Sequence, residues 1–215
     1  MRTEFKAAKP YVPLWLRVGF WLCTLIAVAV VVRRVIALEF HSSTGPLQLV
    51  ELDRVFASHS VLTLVHILPA LVFVGLTPFA ILHRFSRLSW PERWLFPLGG
   101  VVGITAYAMS VYSIGGWIER SAVLFYNSLF LFSLGRAWFY KLRTQQSLKR
   151  RWLLRAVGIV LGIATTRPVM GVFFATSPLT HLSPQQFFGI AFWIGFSINW
   201  VVVERGLHAS SRRFI

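Results

Sequence analysis

The chain reads as an all-α integral membrane protein, a bundle of six transmembrane helices with both termini cytoplasmic. Three observations predict this. The composition is 56% hydrophobic and 13% charged, with a mean hydropathy of +0.65, well outside the range of soluble globular domains. Six apolar runs reach the ~20 residues needed to cross a bilayer. The basic residues lie between those runs and favour alternate ends of them, the pattern that orients membrane helices. At 215 residues the chain forms a single membrane domain, 1–215, whose core is completed by lipid. The net charge of +15 follows no surface stripe, so a nucleic-acid partner is not expected.

The first span is read at 13–38, behind Arg2, Lys6 and Lys9. No small-residue cleavage site follows it cleanly, so it is expected to be a retained anchor. Its Arg33 and Arg34 have stems long enough to snorkel to the membrane surface. Residues 39–57, with His41, Gly45-Pro46, Glu51 and Asp53, read as an exposed loop with room for a short interfacial helix. The second span is read at 58–82 and the third at 94–114, with Ser89-Trp90-Pro91-Glu92 as a helix-start signal before the third. Gly115-Gly116 marks a tight turn. The fourth span is read at 122–142, the fifth at 150–175 and the sixth at 185–203.

Basic residues decide the orientation. Arg2, Lys6, Lys9 and Arg17, then Arg84, Arg87 and Arg93, then the run from Lys141 to Arg155, and finally Arg205, Arg212 and Arg213 share one side. Only Arg33, Arg34, Arg54 and Arg120 fall opposite. By the positive-inside rule the richer side is cytoplasmic. Glu39, Glu51, Asp53 and Glu119 then lie on the outer side with His41, His59 and His181, and all the acids are expected near the surface. Cys23, the one cysteine, sits in an apolar run and offers neither a disulfide nor a thiolate metal site. No metal site is expected, since His41, His59 and His181 match no ligand spacing.

Several polar residues inside the spans need an explanation. Arg167 lies deep in the fifth span, where an unanswered charge costs at least ~2.5–3.5 kcal/mol. Pro168 beside it frees the carbonyl of Ala164 and predicts a kink there. In the second span His59, Thr63, His66, Ala70, Phe73 and Thr77 recur at steps of four and three, and so share a helix face. His66 is either a haem, metal or proton-handling group, or a neutral imidazole hydrogen-bonded across helices. Counting 1.5 Å per residue puts His66 and Arg167 in the outer half of the bilayer, with Tyr107, Met109, Tyr126 and Asn127. These residues and His59 predict one outer-half pocket for an amphipathic ligand: a haem b, a quinone or a lipid head group. Bis-histidine haem ligation is hard to build, because His59 and His66 lie on the same side of one helix. Met109 or His181 would have to serve as second ligand.

Other features have plainer readings. Arg136 is placed at the inner flank of its span, and Tyr126, Ser133 and Tyr140 share a seven-residue face. Asn199 predicts an interhelical hydrogen bond. The tryptophans cluster at span ends as an interfacial belt. Gly158/Gly162 and Gly99/Gly103 have the spacing of small-residue ridges, which let helices approach closely. No glycine-rich phosphate loop, HExxH or nucleophile elbow is present.

Two pieces, LTPFAILHR (Leu76–Arg84) and KRRWLLRAVGIVLGIATTRPV (Lys149–Val169), resemble the bacterial membrane family catalogued as domain of unknown function 2306. That family shows a Gly-Pro-x-x-Phe-type span followed by His-Arg, then a His-Arg-Arg-Trp-Met-x-Arg helix ending in a second Arg. The matching positions are His83-Arg84, Arg150, Arg151, Trp152, Arg155 and Arg167, with Lys149 in place of the histidine and Leu153 in place of the methionine. The resemblance covers the second to fifth spans. It implies a multi-pass helical protein of the bacterial cytoplasmic (inner) membrane and no particular reaction.

Three functions are therefore expected to compete. The first is a binding or redox-linked protein with a lipophilic ligand in the outer-half pocket. The second is an accessory subunit or assembly factor whose glycine ridges pack on a larger membrane complex or a second copy. The third is a small transporter of an anionic amphiphile.

Overall fold

The structure, a computed structural model, describes residues 13–40, 54, 56–81, 90–181 and 183–212. Among these the secondary structure is helical, with no strand. The elements are α1 Leu14–Phe40, α2 Ser60–Ile81, α3 Trp90–Ser110, α4 Gly116–Leu142, α5 Gln146–Val160, α6 Gly162–Thr180 and α7 Pro184–Arg212. Five stretches of the described residues are long and apolar enough to cross a membrane: Leu14–Leu38, Ser60–Ile81, Gly116–Leu142, Gln146–Thr176 and Gln185–Ala209. His41 and His83-Arg84 lie outside the described residues, as does most of the 39–57 loop.

The core explains how these helices assemble. Phe73 of α2 meets Phe130 of α4 edge to face, 5.7 Å between centroids, with Leu95 and Leu153 fully buried alongside. A second cluster joins Ala122, Met170, Phe187, Phe188, Ala191 and Phe192 at the other end of the bundle. Helix α1 is peripheral. Near its start Leu16 packs on Val203 and Leu207 of α7, while most of its apolar side chains face outward.

Both glycine ridges are used inside the bundle. A Cβ on Gly99 would lie 2.6 Å from Leu134, and one on Gly103 2.3 Å from Leu131, so α3 is pressed against α4. A Cβ on Gly158 would lie 2.4 Å from Val203, and one on Gly162 2.5 Å from Phe196. That ridge packs on α7. Neither ridge is left facing outward for a partner complex.

Helix α3 lies four residues earlier than the expected 94–114 at both ends, and the expected 150–175 span runs from Gln146 to Thr180. Three other differences from the sequence reading have a visible cause. Helix α4 begins at Gly116, six residues before the expected start, because Gly116 adopts φ 59° and the Glu119 carboxylate accepts the Gly115 amide at 2.6 Å. Helix α7 continues to Arg212, held by Arg155–Glu204 contacts of 2.5 and 2.9 Å. The expected fifth span is two helices, and the interruption falls at Leu161, not at Pro168. Asn199 Nδ2 donates to the Gly158 carbonyl at 3.1 Å, the acceptor that the amide of residue 162 would otherwise use. Thr165 Oγ1 in turn donates to Asn199 Oδ1 at 2.7 Å. Asn199 thus splices the two helices, and Pro168 sits in an unbroken α6.

The basic end is neutralised in part. Lys149, 2% exposed, is ion-paired to Glu92, which also lies 3.7 Å from Lys141. Arg136 is partly buried; its Nη2 donates to Tyr140 Oη at 2.5 Å and its guanidinium lies 5.5 Å from the Trp152 ring centroid.

Candidate functional site

A cavity of about 240 Å³ lies inside the bundle, with walls drawn from α1, α2, α3, α4, α5, α6 and α7. Lining residues on α2 run from Thr63 to Val74, and on α4 from Glu119 to Phe130. Each stretch corresponds to roughly 16 Å at the helical rise. The two ends differ chemically. Arg34, Glu119, Arg167, Tyr112 and Ser113 line the end nearest the α3–α4 turn, whereas Val74, Val102, Phe130 and Ile159 line the other. One polar end and one apolar tunnel match an amphipathic molecule in shape and polarity.

The sequence-predicted site residues divide accordingly. His66, Met109, Tyr126, Asn127 and Arg167 line this cavity; Tyr107 and His59 do not. Tyr107 Oη meets Ser128 Oγ at 2.8 Å on an exposed flank. His59 bonds Ser58 through Nδ1 at 2.9 Å and packs over the Tyr112 ring at 3.7 Å. His181 lies in an exposed turn at φ 52° and is no part of the cavity lining.

The polar atoms in the cavity are mostly committed. Tyr126 Oη and Ser197 Oγ are 2.6 Å apart, and Asn127 Nδ2 donates to the Gly103 carbonyl at 2.9 Å. His66 Nδ1 lies 2.9 Å from Thr105 Oγ1, and the Val102 carbonyl accepts a hydrogen bond from the ring. Thr105 donates its one proton to backbone carbonyls of its own helix, at 2.7 Å to Val101 and 3.1 Å to Val102. It can therefore only accept from His66, which puts the imidazole proton on Nδ1 and the lone pair on Nε2. Whatever else it does, His66 ties α2 to α3.

Arg167 is different. Its Nη1 points to Met170 Sδ at 3.9 Å, a weak acceptor, and its Nε is sealed from solvent with no hydrogen-bond partner. The charged group acting on it favourably is Glu119, through space. No Glu119–Arg167 ion pair within 4.0 Å forms among the described residues. The guanidinium thus retains donor capacity inside a largely apolar cavity, an arrangement that is costly unless something polar meets it.

Two cavity residues went unread in the sequence. Arg34 does not snorkel; it is 6% exposed, with its guanidinium 3.9 Å from the centroid of Phe56. Glu119 is not a surface acid; it is 8% exposed and lines the cavity. Its signal was present in the spacing. The seven-residue face that carries Tyr126, Ser133 and Tyr140, stepped back once more, lands on Glu119.

Among the described residues no three His, Cys, Asp or Glu side chains come together as a metal site. No family model, curated protein or solved structure matches the chain.

Proposed function

We propose that the protein binds a single-chain anionic amphiphile inside the membrane, its charged group on Arg167 and its tail along the apolar tunnel toward Val74 and Phe130. The observation that carries this reading is the Arg167 guanidinium, which lines a largely apolar cavity and whose Nη1 finds only the weak Met170 Sδ acceptor at 3.9 Å. An anion there would gain two or more charge-assisted hydrogen bonds, each about 1.5–3 kcal/mol. Spread over the roughly 16 Å that its lining covers along α2 and α4, the cavity volume of about 240 Å³ suits one chain.

Haem b fits the residues less well. His66 keeps its Nε2 lone pair free, but His59 lies outside the cavity and Met109 alone of the cavity lining is left as an opposing ligand. A quinone would present neutral carbonyls and would depend less on the charge of Arg167.

The reading includes a sixth span. Helix α3 is 21 residues and lies along α4 from Glu92 beside Lys141, at one end, to Tyr107 beside Ser128, at its middle. A 21-residue helix packed along a membrane-length helix supports a crossing, and six crossings return both termini to the basic, cytoplasmic side. Placement in a bacterial inner membrane, and membership of the family of unknown function, rest on the two sequence motifs described above.

The test is equilibrium binding of decanoate to purified protein in a non-ionic maltoside detergent. Wild type is expected to bind saturably, and Arg167→Gln to bind at least tenfold more weakly. Equal binding of decanol, or of a quinone analogue, by wild type and variant would overturn the reading.

A further inference from the structure

Arg167 and Glu119 are the cavity's unspent charges. Arg34 is already engaged, its guanidinium over the Phe56 ring and in a further interaction besides. His66 is tied to Thr105, and Tyr112 of the α3–α4 turn packs on His59. On α4 itself, Arg120 lies over the Trp117 ring at 5.4 Å and is absent from the cavity lining. Glu119 is held toward α4's own start by the Gly115 amide at 2.6 Å, with a second hydrogen bond from the backbone of Ile114, so one face of the carboxylate is fixed. It acts on Arg167 through space without closing an ion pair.

As it stands, the guanidinium and carboxylate neutralise each other across a gap. An anion entering that gap takes over Arg167 and brings a second negative charge beside the Glu119 carboxylate, whose charged neighbour through space is Arg167; Arg33, which acts on Arg167 through space, and Arg34, over Phe56, are each held in further interactions of their own. Like charges sharing such a site cannot both stay ionised at little cost. One proton relieves that repulsion, and the carboxylate is the group placed to receive it.

Building on the binding reading above, we infer that the cavity takes its anionic ligand together with one proton, which is received by the Glu119 carboxylate. The ligand class that follows is a monoanionic, single-chain amphiphile, moved or held as the electroneutral sum of anion and proton. The step balances simply. The free anion and one proton from water are consumed; an anion–guanidinium contact forms, and Glu119 goes from carboxylate to carboxylic acid. No bond in the ligand breaks and no electron moves. Glu119, a buried acid that acts on Arg167, also corrects the expectation that all the acids lie near the surface.

The experiment uses decanesulfonate, an anion that does not itself titrate near neutrality, with full-length protein in maltoside micelles. Calorimetric titrations run in two buffers of different ionisation enthalpy count the protons taken up. Wild type is expected to take up close to one proton per sulfonate at pH 7.5, with affinity falling about tenfold per pH unit above it, the slope of a one-proton linkage. Glu119→Gln is expected to bind with no proton uptake and with affinity independent of pH. His66→Gln, the control for the other titratable group in the chamber, is expected to keep the uptake.

Each alternative outcome counts. Saturable, Arg167-dependent binding with no proton uptake in wild type overturns this inference and leaves the binding reading standing. Uptake that survives in Glu119→Gln but vanishes in His66→Gln overturns the assignment to Glu119. Absence of any Arg167-dependent sulfonate binding overturns both.

Discussion

Replacing Asn199 with leucine should loosen the joint between α5 and α6 and weaken binding in the cavity beyond it. Asn199 bonds the Gly158 carbonyl at 3.1 Å and receives the Thr165 hydroxyl at 2.7 Å. Interhelical hydrogen bonds of this kind contribute about 0.6 kcal/mol on average and up to about 1.7 in membrane proteins. Two of them set a loss of about 1–3 kcal/mol. The orphaned Gly158 carbonyl, with Gly162 pressed under Phe196, has no easy new donor and pushes the value toward the upper end. The assay is equilibrium unfolding in mixed maltoside and dodecyl sulfate micelles, followed by tryptophan fluorescence. A double-mutant cycle with Thr165→Val isolates the pair and should return a coupling of about 0.6–1.7 kcal/mol. Because Arg167 lies less than two turns beyond the joint, the decanoate affinity of Asn199→Leu should fall as well. A variant within 0.5 kcal/mol of wild type, or a coupling of zero, would show that the break at Leu161 does not depend on Asn199.

Three further outcomes are expected. Gly103→Ala should cost about 1–3 kcal/mol by driving a methyl into Leu131, whereas Gly100→Ala, whose Cβ meets nothing within 4 Å, should gain up to about 1 kcal/mol; the same unfolding titration separates them. Glu204→Gln should destabilise the protein by about 1–3 kcal/mol by halving its charge-assisted pair with Arg155, and Arg155→Met in the same background should add little. A reduced-minus-oxidised optical spectrum of purified protein should be flat across the haem region, since the cavity sets only Met109 against His66 as a second axial ligand; sharp bands would restore the haem reading.

The helical bundle was legible because hydropathy and length report directly on the lipid slab. Span ends were less so. The start of α4 depends on a carboxylate folding back to cap Gly115, and the end of α7 on a pairing with Arg155 some 49 residues earlier in the chain. The break at Leu161 was misplaced onto Pro168 because proline is a local signal, whereas Asn199 acts from another helix. Of the polar residues, Arg167 and His66 stood out by depth alone, and both line the cavity. Glu119 and Arg34 did not, because a charge near a span end is ordinarily read as a flank. Which way each one turns is decided by Phe56 and Gly115, neighbours that depth counting does not see. The glycine ridges show the reverse limit: their spacing announced close packing, but not that α4 and α7 of the same chain would be the partners.

The most direct measurement is a ligand-bound structure with 11-bromoundecanoate, locating the bromine by its anomalous signal. The carboxylate should lie within hydrogen-bond distance of Arg167, with the bromine at the tunnel end near Val74 and Phe130. Bromine found only on the lipid-facing surface, or a carboxylate seated away from Arg167, would contradict the account.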